Sequence, residues 1–90
     1  MEFEWDKTKA ARNLVKHGVD FSEAASIFGD ALSRTFADPD HSDDEERSIT
    51  IGVSNRGRIL IVAHTDREAR TRIISAREAT RRERKTYEEE

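Results

Sequence analysis

The 90-residue chain contains no cysteine, which excludes disulfides and thiolate metal sites. That agrees with a reducing cytoplasm without requiring one. Long apolar runs are missing as well: the longest is ILIVA at 59–63, against the roughly 20 residues of a membrane-spanning helix. The first residues, MEFEWD, are acidic and lack the basic, apolar and small-residue zones of a secretory signal. A cytoplasmic location and no membrane association are therefore expected. Familiar catalytic loops are also lacking. There is no Walker loop, dinucleotide fingerprint or Ser-His-Asp order, and GVSNRG at 52–57 has the chemistry of a hairpin turn. The polar loop DPDHSDDEE at 38–46 fails the EF-hand template, because its sixth and twelfth positions are Asp43 and Ile49 instead of Gly and Glu. His17, His41 and His64 show no ligand spacing. No metal and no cofactor are expected, and the acidic loop is read as a solvated connection.

What is present is charge, unevenly divided. The formal net charge is −3, but residues 1–55 carry −6, residues 56–85 carry +6 and the final TYEEE carries −3. Such asymmetry suits an anionic partner for the second part, or acidic and basic segments facing each other across the fold. Ninety residues make a single domain, 1–90. A domain of this size buries only about 60–65% of its unfolded surface, so a partner or self-association would add to a thin margin.

Periodicity gives an α+β order: two N-terminal helices, an antiparallel sheet of about four strands and a C-terminal helix. Asp6 and Gly18 have the chemistry to cap a first helix at its start and end. Its inner face is expected at Ala10, Leu14 and His17, with Ala11 and Val15 alongside. Asp20 and Glu23 open a second helix, with Phe21, Ala24, Ala25 and Phe28 inward. Period two then marks strands at 33–37, 48–54, 58–65 and 70–76, with FEWD at 3–6 as a short edge strand or a docked terminus. Thr80 and Glu83 form a capping box for the last helix.

Histidine, arginine, lysine and carboxylates suffice for one reaction class, the cleavage of RNA by its own 2′-hydroxyl. A base takes that proton, an acid protonates the leaving oxygen, and cations surround the phosphorane charge. His64, at the end of the central strand, is the expected base or acid, with Arg70 and Arg72 beside it on the next strand. The ordinary alternatives are a hydrogen-bonded core histidine and arginines paired to surface carboxylates. Arg77 leaves the opposite strand face unless a bend redirects it. Lys16 and His17 stand in the last turn of the first helix, where the dipole favours positive charge; Arg47 closes the acidic loop. These six, His64, Arg72, Arg77, Arg47, Lys16 and His17, form the expected catalytic set. Arg70, Arg81, Arg82, Arg84 and Lys85 form the expected nucleic-acid-binding set, or else a solvated face.

In order, FEWDKTKAARNLVKHGVDFSEAASIF, DPDH, EERSITIGVSNRGRILIVAHT and RIISAREATRRERKTYEE resemble the BrnT toxin family over nearly the whole chain. Lys16, His17, Gly18, Arg47, His64, Arg72, Ser75, Arg77 and Tyr87 match the family pattern. The resemblance implies a RelE-like fold and a ribosome-independent endoribonuclease that blocks translation. It also implies a BrnA antitoxin with a ribbon-helix-helix DNA-binding part. That partner would neutralise the toxin and bring it to operator DNA, as a homodimer or a heterotetramer with antitoxin. The competing function is a non-catalytic nucleic-acid-binding or operon co-repressor module. Overall acidity sits awkwardly with RNA binding, and is eased if the acidic half faces a basic partner segment.

Overall fold

The computed structural model describes residues 1–38 and 46–89; the centre of the acidic loop, 39–45, with His41, lies outside them. Local chemistry sets the helices. The Asp6 carboxylate accepts from the Lys9 amide at 2.9 Å and opens α1 (Lys7–His17); Gly18, at φ 71°, closes it in the left-handed region. Asp20 accepts from the Glu23 amide at 2.7 Å to open α2 (Phe21–Ser26). This helix is only six residues long and tightens at once into a 3₁₀ turn (Ile27–Gly29), so Phe28 falls beyond it. Thr80 and Glu83 make the expected capping box of α3 (Arg81–Glu88). No helix among the described residues is long and apolar enough to cross a membrane.

Five strands form one sheet: β1 (Glu2–Glu4), β2 (Arg34–Ala37), β3 (Arg47–Val53), β4 (Ile59–Arg67) and β5 (Arg70–Glu78). Their order is β1-β5-β4-β3-β2, antiparallel except that β1 runs parallel to β5. The expected antiparallel four-strand sheet is thus corrected to a mixed five-strand one. The N-terminal segment becomes a strand only by pairing with residues nearly 70 positions away (Glu2 with Arg70 to Glu4 with Arg72).

Helices α1 and α2 cover one face. Val19, Phe21, Ala24 and Ile27 pack on Leu60, Val62, Ile73 and Ala76, rimmed by Phe3, Trp5 and Phe28. Gly52 is needed here, since a Cβ would lie 3.0 Å from the Ser33 Cβ and 3.2 Å from the Ile27 carbonyl. The inner face of α1 differs from expectation. Leu14 and Val15 are 49% and 88% exposed, whereas Asn13 is buried. Its Nδ2 donates to the carbonyls of Val19 (2.9 Å) and Ala76 (2.8 Å), and its Oδ1 accepts from the Ala76 amide at 3.1 Å. Both backbone groups of Ala76 on the outer edge of β5, which β1 is too short to reach, are thereby satisfied. A polar demand at a sheet edge sets the rotation of α1, over the apolar periodicity.

Candidate active site on the open face of the sheet

Among the described residues the opposite face is left largely open, and its composition follows from the register. Three rows cross it: Arg34, Ile51, Ile61, Arg77; then Phe36, Ile49, Ala63, Ser75; then Arg47, Thr65, Arg72, Glu4. A β-bulge makes the third row possible. Ala63 pairs with Ser75 but His64 pairs with Ile73, leaving Ile74 as the extra residue. The bulge reverses the alternation, so Arg72 and Arg77, at odd separation, end on the same face. His64 stays on the core face with Leu60 and Val62, and Ile73 joins it there.

This overturns the expected pairing of His64 with Arg70 and Arg72. His64 is 2% exposed inside the core, its Nε2 2.8 Å from the Thr50 hydroxyl and its ring edge-on to Phe28 at 5.0 Å. Burial pushes its pKa below the usual histidine value, partly countered by the Asp66 carboxylate 3.4 Å from Nδ1. Arg72 instead meets Glu4 at 3.3 Å, and Arg70 meets Glu2 and Glu4, each at 3.4 Å. These pairs zip β1 to β5, and the two guanidinium groups, Arg70 first, hold Glu4 below its ordinary carboxylate value.

The open face does gather a site, from other members of the set. A cleft of about 370 Å³ is lined by His17, Arg47, Arg77, Ser75 and Asp38, over a floor that includes Ile49, Ile61 and Ala63. His17 reaches it because it follows Asn13 by one helical turn, and Asn13 is clamped to Ala76. Arg77 is aimed by Glu83, whose two oxygens accept from Nη1 and Nη2 at 2.7 and 2.9 Å. The same carboxylate takes the Thr80 amide at 2.8 Å. Pairing with Arg77 draws Glu83 down to about 2 and raises Arg77 in turn. An imidazole, two guanidinium groups and a hydroxyl on an apolar floor can bind a phosphodiester and move a proton beside it. Sequence reasoning did not foresee Asn13, Glu83 or the apolar floor as parts of this site. The first two carried a helix-interior and a capping signal only.

The remaining expected residues lie elsewhere. Lys16 is exposed on α1 and does not line the cleft. Arg81, Arg84 and Lys85 line a separate groove of about 660 Å³ beside Arg58 and Glu78; Arg82 is exposed on the same helix. Tyr87 donates to Asp30, whose carboxylate also takes the backbone amides of Leu32 and Val53, each at 2.9 Å. That bond pushes the Tyr87 hydroxyl up to about 12. Burial alone would raise the Asp30 carboxyl, yet Tyr87 and the two amides bring it net below its usual value.

Fold and cleft together define a small α+β protein with a cationic cleft on one face of its sheet. A family model described as the ribonuclease toxin BrnT of type II toxin–antitoxin systems matches residues 5–83. The chain belongs to that family, and it is therefore an endoribonuclease toxin whose system includes an antitoxin. The crystal structure of the Brucella abortus ribonuclease toxin BrnT superposes with a TM-score of 0.69 at 25% identity. That match covers 90% of this chain and 99% of the other. Among curated proteins, none matches the sequence.

Proposed function

We propose that the cleft of His17, Arg47 and Arg77 is where RNA is cut, by transesterification without a metal. His17 takes the 2′-hydroxyl proton as the oxygen attacks phosphorus. The P–O5′ bond breaks, leaving a 2′,3′-cyclic phosphate and a 5′-oxygen protonated by solvent at the cleft mouth. Arg77 and Arg47 stabilise the phosphorane charge. The observation that supports this reading is the convergence of one imidazole and two arginines from three separate elements on one cleft. Arg81, Arg84 and Lys85 hold the flanking backbone in their own groove, as phosphate contacts that weaken with salt. In the cell the protein acts in the cytoplasm, in a RelE-like manner, blocking translation until a BrnA-like ribbon-helix-helix antitoxin binds it.

Purified protein is to be incubated with RNA in EDTA. Cleavage is expected, with His17→Ala and Arg77→Ala each slower by about 10²-fold or more, while a folded His64→Gln variant retains the wild-type rate. Intact RNA at micromolar wild-type protein would sink the proposal; wild-type rates in both cleft variants would move the chemistry elsewhere.

A further inference from the structure

The cationic cleft continues into an apolar trough of about 210 Å³, which shares Ile49, Ile61 and Arg77 with it. Its far end is Phe36 on the edge strand β2, half exposed and directly across from Ile49. Ile51 completes the floor, and Glu83 and Thr86 of α3 form the side wall. Among the described residues, this half-exposed phenylalanine on a rim of isoleucines makes no contact with another aromatic ring. It lies one strand spacing and one two-residue step from Arg47, roughly 8 Å between backbone positions.

From this geometry we infer that the trough is a nucleobase subsite, in which a base of single-stranded RNA stacks on Phe36 while its phosphate lies at Arg47 and Arg77. The inference rests on the cleavage reading above, and names how the substrate is held. Single-stranded RNA is recognised by stacking unpaired bases on aromatic side chains, next to cations that track the backbone. Here the two features adjoin, sharing Ile49, Ile61 and Arg77. The trough of about 210 Å³ shares Arg77 with the cationic cleft, and that neighbouring positive charge favours a base carried on a phosphate backbone over an apolar protein segment. The site predicts a requirement for an unpaired base and disfavours duplex RNA, whose stacked bases cannot enter.

The test measures binding of an uncleavable 2′-O-methyl RNA oligonucleotide and of inorganic polyphosphate, a polyanion without bases. Phe36→Ala is expected to weaken the RNA by about tenfold and leave polyphosphate unchanged, with Phe36→Trp restoring RNA affinity. If wild-type protein cleaves RNA yet Phe36→Ala binds it equally well, the subsite falls and the cleavage reading stands. If wild-type protein neither binds nor cleaves RNA, the cleavage reading falls with it. Equal loss of both ligands, or a loss confined to neutralisation by antitoxin, also overturns the subsite. The second result would give the trough to the protein partner.

Discussion

Asn13 decides more of the site than any charged residue. It closes both backbone groups of Ala76, and through α1 it holds His17 over the cleft. Asn13→Ala removes the side-chain partner of the Ala76 amide and of the Ala76 and Val19 carbonyls, at a cost of about 1–3 kcal/mol for each group left unsatisfied. Chemical denaturation should show that loss, and the RNA cleavage rate should fall beyond what unfolding explains. His64 makes a contrasting prediction. Its folded pKa lies below the ordinary value of 6.5, so the unfolded chain binds more protons just below that pH. Its contribution is complete above about 6.5 and is lost as acidification proceeds toward the lower folded value. Urea midpoints compared at neutral and mildly acidic pH should fall in the wild type and shift less in His64→Gln. The sequence placed His64 on the strand face of Leu60 and Val62, where it lies, but misplaced the face of Arg70 and Arg72, because the one bulge residue Ile74 reverses the alternation of β5.

At the scale of elements, α3 is loosely held. None of its residues is buried, and its polar anchors are Glu83 to Arg77 and Tyr87 to Asp30. The Glu83 carboxyl titrates at about 2 against 4.5 unfolded, so its stabilisation is present above 4.5 and lost as pH falls toward 2. Amide hydrogen exchange in α3 should accelerate in Glu83→Gln, with little change in the core strands. The same variant should cut RNA more slowly, since Arg77 loses its brace. Tyr87 is the chain's one tyrosine. An ultraviolet titration should therefore show it ionising at about 12 and not near 10.

Across the whole molecule, the acidic and basic halves do answer each other, through specific partners. Glu23, 2% exposed, accepts from the Ser54 hydroxyl at 2.7 Å and from Arg58 Nε at 2.9 Å. Arg58 also reaches the Gly18 carbonyl at 3.0 Å, tying the turn after α1 to the β3–β4 hairpin. Arg58→Met would strand the Glu23 charge, at a cost of about 3–5 kcal/mol. That is a large share of the roughly 5–13 kcal/mol expected for a domain of this length. A clearly lowered urea midpoint is the expected result, whereas an unchanged one would show that water reaches Glu23.

Caps, periods and charge order are local, and the sequence alone determined them: the ends of α1, the start of α2, the capping box of α3, four strands and the family motifs. Tertiary structure decided what depends on distant partners. These are the parallel pairing of β1 with β5, the rotation of α1 to the edge of β5, and the division of arginines among zipper, cleft and groove. The physical reason is that a side chain's face is fixed by backbone pairing, not by its own chemistry. A one-residue bulge in β5 therefore turned Arg72 away from His64 and brought it onto one face with Arg77.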